Sequence, residues 1–155
     1  MPRGGIVIMR TRAWAALAAA AGLAACAGVR SRVTDGKVQS VIDQRPDRGG
    51  TLEAIGIGAS DPKLPTDTQR KALARDAAIV KAQYELLSMV KGVRLSGGVT
   101  VDRAMETDSA LAARVDATIR GAEVVKSEFT ADGGCVVTLR LPKSRLEAAT
   151  GERVE

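Results

Sequence analysis

The chain has 155 residues, 45% hydrophobic and 26% charged, which suits one globular domain. It has no histidine, two cysteines and only 2% aromatic residues, which excludes a His/Cys zinc cluster, an imidazole general base and an aromatic platform for nucleobases. The net charge of +5 is concentrated at the start: without Arg3, Arg10 and Arg12, 20 basic residues face 18 acidic ones, a net of +2, and no nucleic-acid partner is expected.

Residues 10–25, RTRAWAALAAAAGLAA, place two arginines before an apolar run that ends in small residues, the layout of a secretory signal peptide. The run from Ala13 is about 13 residues long, short of the roughly 20 that a membrane-crossing helix needs. Met9 followed by Arg10 opens a conventional n-region, so Met9 is the expected start. The run closes on Leu23-Ala24-Ala25-Cys26, which resembles a bacterial lipobox. In proteins of that type the cysteine thiol receives diacylglycerol, cleavage precedes the cysteine and the new amino group is acylated. The competing reading is an ordinary signal cut after Ala27, with Ala25-Cys26-Ala27 as the A-x-A site. Lipidation of Cys26 leaves Cys135 without a disulfide partner, and the alternation Cys135, Val137, Leu139, Leu141 against Thr138 and Arg140 makes it a core residue.

Residues 27–50 are polar and interrupted by Gly36, Pro46, Gly49 and Gly50, as expected of a tether, with room for a short strand over 38–42. Residues 52–58 then read as a strand with Ile55 and Ile57 on one face and Leu52, Ala54, Gly56 and Gly58 on the other, a small-residue face that admits close approach. Gly56-x-Gly58 is not a dinucleotide fingerprint, because Asp61 holds the third glycine position and Pro62 interrupts. Thr66-Asp67-Thr68-Gln69 is a capping box, and Gly92 is the matching stop. The helix between them is expected to bury Leu73, Ala77, Val80, Tyr84 and Leu87, flanked by Ile79, Leu86 and Val90, and to expose Arg70, Lys81, Glu85 and Ser88. Strand-like pieces at 93–95 and 99–101 surround Gly97-Gly98, and a second helix over 109–119 carries Leu111, Val115 and Ile119. A hairpin with the loop Asp132-Gly133-Gly134 sets Phe129 against Val137, Ser127 against Leu139 and Val125 against Leu141. After Pro142, residues 143–149 form a short terminal helix.

These elements predict an α+β fold: a small, mainly antiparallel sheet of three to four strands packed against one long and one short helix. Residues 1–25 are the expected lipoprotein signal peptide, 26–50 the lipidated cysteine and flexible tether, and 51–150 one α+β domain. The lipobox, the strand ending in G-x-G, the helix pattern Ala74-x-x-Ala77-Ala78-x-x-x-Ala82-x-x-x-Leu86-x-x-x-Val90-x-Gly92-Val93 and the hairpin around Asp132-Gly133 together resemble the twenty-kilodalton lipoprotein family of bacterial envelopes. The same module is similar to the N-terminal domain of the flagellar assembly protein FlgT. The resemblance spans roughly Leu52 to Leu141 and implies a membrane-associated, non-catalytic lipoprotein, in some members linked to flagella or surface antigens.

The expected function is therefore a lipid-anchored module of the cell envelope, on the periplasmic face of the outer membrane. Its partners are the membrane, through Cys26, and an envelope protein. Alanine rather than aspartate after Cys26 is similar to the pattern sent to the outer membrane. No catalytic, cofactor or metal residue is assigned: a Ser-His arrangement is impossible without histidine, and no glycosidase-like carboxylate pair stands out. Asp102, Glu106 and Asp108 form the densest acidic group, read as a solvated loop with a divalent-cation site as the alternative. A small-molecule-binding or enzymatic periplasmic domain is the alternative function.

Overall fold

A computed structural model of the chain describes residues 30–39 and 50–155. The expected signal segment, Cys26 and most of the expected tether lie outside the described residues. The fold is α+β. Among the described residues nine elements follow in order: β1 (Val33–Thr34), β2 (Lys37–Val38), β3 (Thr51–Gly58), α1 (Asp67–Lys91), α2 (Val101–Thr107), α3 (Ser109–Arg120), β4 (Glu123–Phe129), β5 (Cys135–Pro142) and α4 (Lys143–Thr150). β1 and β2 form a small hairpin, while β5 runs between β3 and β4, antiparallel to both.

Local signals set the element ends. Thr66 accepts from the Gln69 amide at 3.1 Å, and the Gln69 side chain accepts from the Thr66 amide at 3.3 Å, closing the capping box of α1. Two successive helices after α1 are started by Thr100, which accepts from Arg103, and by Asp108, which accepts from the amides of Ala110 and Leu111. The expected strand over 99–101 is reduced to a bridge between Arg94 and Thr100, because Thr100 is already the cap of α2 and Val101 its first buried residue. The partner of Leu95 is Val154 instead: the amides of Ser96 and Glu155 donate across to the carbonyls of Arg153 and Arg94, both at 3.0 Å.

Packing against the sheet divides in two. Near β3's end, Ala74, Ala78 and Ala82 of α1 meet Cys135, Val137 and Leu139. Further along, Leu86 and Val90 join Leu52, Leu141, Val115, Ile119 and Leu146 in a wider space closed by α2, α3 and α4. The core is thus a wedge, thin where side chains are small.

The thin edge overturns the expected face of α1. Buried residues are Ala74, Ala78, Ala82, Leu86 and Val90, whereas Leu73, Val80 and Tyr84 are 45%, 65% and 66% exposed, and Leu87 is only partly buried. The cause lies on β3. A Cβ on Gly56 would stand 2.0 Å from the carbonyl oxygen of Ala78 and 2.4 Å from the amide nitrogen of Ala82, and one on Gly58 would stand 2.0 Å from the carbonyl oxygen of Ala74. Helix and strand backbones are in direct contact, and only alanine fits between them.

The terminal hairpin is also displaced. Its three-residue loop is Ala131-Asp132-Gly133, closed by the Thr130 amide donating to Gly134, so that Phe129 opposes Cys135 and Ser127 opposes Val137. Gly133 supplies the positive φ of 84°, while Gly134 stays in the ladder, wedged between the Thr130 hydroxyl and the Gly58 carbonyl. The shift is two residues, an even number, so Lys126 to Phe129 keep their expected faces, whereas before the bulge Val124 takes the place opposite Leu139. A bulge at Val125 replaces its expected pairing with Leu141.

Candidate functional site

The titratable groups singled out in the sequence are held apart. Asp102 pairs with Lys91 at 3.0 Å, Glu106 with Arg103 at 2.9 Å, and Asp108 is occupied by the α3 amides at 2.8 and 3.0 Å. Each carboxylate therefore has its own structural partner, and among the described residues no three His, Cys, Asp or Glu side chains converge on one point. Gly56 and Gly58 lie beneath α1, and on both the position of a Cβ is taken by the helix backbone. Cys135 is fully buried on the helix side of β5, and burial pushes its thiol up, away from the reactive thiolate.

Among the described residues, two clefts open beside the sheet. One, of about 440 Å³, lies at the end of the sheet between the β1–β2 turn and the β4–β5 loop, lined by Lys37, Val38, Ile57, Ala131 and Asp132. Asp132 faces inward to its own loop: the Thr130 hydroxyl and the Gly134 amide hold its carboxyl below the usual range. The second, about 630 Å³, lies where Leu52, Met89, Val93 and Arg94 meet the C-terminal residue Glu155.

The first cleft owes its far wall to residues 30–39, which lie in the stretch expected to be a tether. Glu128 on β4 joins them to the sheet. Its carboxylate accepts from the Ser31 hydroxyl and, at 2.8 Å, from the Arg32 amide, with Lys126 at 3.5 Å. Burial alone would raise the Glu128 pKa, but these donors and the lysine charge outweigh it and the net shift is downward. The Ala131 amide donates to Gly36 at 2.8 Å, completing the attachment. On the same sheet, Arg140 of β5 donates from Nε and Nη2 to one oxygen of Glu53 on β3, at 3.0 and 2.7 Å.

What sequence reasoning missed is the outer face of α1. Leu73, Val80 and Tyr84 stand in solvent with Ala77 between them, and a groove of about 130 Å³ between Tyr84, Leu87, Ser88 and Lys91 continues the strip toward the helix end. At about 100° per residue the strip centres about 180° from Ala82, the midpoint of the buried row. The helix is apolar on two opposite faces, and the sheet covers one. The signal was present in the sequence as two competing periods, four for the alanine row and alternating four and three for the outer strip.

Set against models of known protein families, curated proteins and solved structures, the chain matches none.

Proposed function

We propose that the chain is a lipoprotein of a bacterial cell envelope, anchored through Cys26 and presenting a non-catalytic α+β module to a protein partner, as in the assembly of flagella or other surface structures. The observation that carries this reading is Leu23-Ala24-Ala25-Cys26 at the end of a short apolar run behind two arginines. Only a thiol forms the thioether to diacylglycerol, and small residues keep the scissile bond accessible. Several acyl chains are needed because each buried methylene contributes about 0.8 kcal/mol and one chain alone binds reversibly. The exposed strip on α1 supports the presenting role, since it offers a partner an apolar face on a rigid element. The polar clusters support a structural reading, since Asp108 caps a helix and Glu128 fastens the N-terminal hairpin.

Metabolic labelling with a fatty acid tests the anchor: the wild type takes up label and Cys26→Ala does not. Equal labelling of both removes the anchor from this account. Density separation of inner and outer membranes then tests the destination, expected in the outer membrane from the alanine after Cys26.

A further inference from the structure

We propose that the outer face of α1 is a dimerisation seam whose occupant is α1 of a second copy, parallel and in register. The proposal rests on the docking face and shared anchor of the preceding reading and names the partner.

Leu73, Ala77, Val80, Tyr84 and Leu87 follow one another at intervals of four, three, four and three, the a/d spacing of a two-stranded coiled coil. The buried row advances strictly by fours, so the two faces are built to different rules. Only the outer one has the 3.5-residue period that keeps a seam facing a partner helix. The groove between Tyr84, Leu87, Ser88 and Lys91 is a hole of the kind an incoming side chain fills in such packing.

Charge decides the direction. With Leu73, Val80 and Leu87 at d, Asp76 falls at g and Lys81 at e. In a parallel pair a g residue meets the e residue five positions further along the other helix. Asp76 therefore meets Lys81 of the second copy, twice by symmetry. Asp76 makes no ion pair with a described residue of its own chain, and Lys81, itself more than half exposed, pairs with the half-buried Glu85 at 2.7 Å and lies 5.2 Å from the ring centre of Tyr84, so that it sits at the edge of the seam. In an antiparallel pair, e faces e and g faces g, and neither opposite charge is matched.

From Leu73 to Leu87 the seam is about 21 Å long, two heptads, which makes a weak dimer in dilute solution. Two anchors in one bilayer raise the effective concentration, and a parallel seam brings both N-terminal sides to the same surface.

Oxidative crosslinking in membranes of cells expressing the full chain tests this. Leu73→Cys should give a disulfide-linked homodimer above the level of the wild type and of Arg103→Cys, an exposed position away from the seam. Adding Asp76→Lys should cut the dimer roughly tenfold, and adding Lys81→Asp as well should restore it. The proposal is overturned by a Leu73→Cys chain that crosslinks no better than Arg103→Cys or links to another protein. It is equally overturned if Leu73→Cys links only to Leu87→Cys, or if the double charge exchange fails to restore the dimer. Fatty-acid labelling of the same samples separates the two readings. A labelled chain that does not crosslink overturns the seam alone, and a crosslinked chain without label overturns the anchor alone.

Discussion

Replacing Gly56 by alanine probes the contact on which the thin edge of the core depends. Its Cβ would meet the Ala78 carbonyl oxygen at 2.0 Å and the Ala82 amide nitrogen at 2.4 Å, both backbone atoms that no rotamer can move. Reaching an ordinary contact of 3.4 Å requires α1 and β3 to part by about 1.4 Å along that line. A gap of even 0.5–1 Å forfeits about a quarter to a half of a dispersion well, and overpacking a core commonly costs about 1–3 kcal/mol. The upper end applies because the alanine row must be lifted together, so the expected loss is about 3 kcal/mol, or roughly a 12 °C fall in Tm for a domain of this size. Intrinsic propensity has the opposite sign, since glycine inside a strand is about 0.5–1 kcal/mol worse than alanine. Thermal unfolding of residues 30–155 followed by circular dichroism gives the answer, with Gly97→Ala as the control because its nearest neighbour, Glu152 Oε2, is 3.6 Å away. A Gly56→Ala protein that melts within about 3 °C of the wild type refutes the backbone-on-backbone packing of α1 and β3.

Leu86→Ala should cost about 2–5 kcal/mol in urea unfolding, because the side chain is fully buried, while Val80→Ala, 65% exposed, should stay within about 0.5 kcal/mol; equal effects would return the outer strip to the core. Glu128 has its pKa lowered in the fold, so its attachment to Ser31 and Arg32 is fully present above the ordinary carboxylate value of 4.5 and is lost as pH falls through the lower folded value. Hydrogen exchange at the Gln39 amide, which donates to the Arg32 carbonyl at 2.9 Å, should accelerate in that acid window, and in Glu128→Ala it should be fast at neutral pH as well; protection independent of both changes would show that the hairpin is held by other contacts.

Much of the fold was legible because its signals are local. The capping box at Thr66, the stop at Gly92, the row Leu111, Val115, Ile119 and the alternation through Cys135 each involve residues a few positions apart, whose consequences depend little on distant chain. The cap at Thr100 was legible in type but was outweighed by the strand-like look of Val99-Thr100-Val101, and Asp108, which caps the expected helix over 109–119, was read instead with the acidic group. The hairpin loop moved by one residue because Gly134 had to remain flat against Gly58, a neighbour 76 positions away in sequence.

The sequence by itself determined where α1 begins and ends and that two of its faces are apolar. Size favours the face with Leu73, Val80 and Tyr84, since larger side chains remove more surface from water. The tertiary structure decided the other way, because Gly56 and Gly58 let β3 touch the helix backbone along the alanine row. Contact between two backbones gathers many dispersion pairs at once, and a bulky residue anywhere in the row would break them all. Which face is inside is therefore a property of the helix and the strand together, and it is the alanine row, not the larger side chains, that the sheet covers.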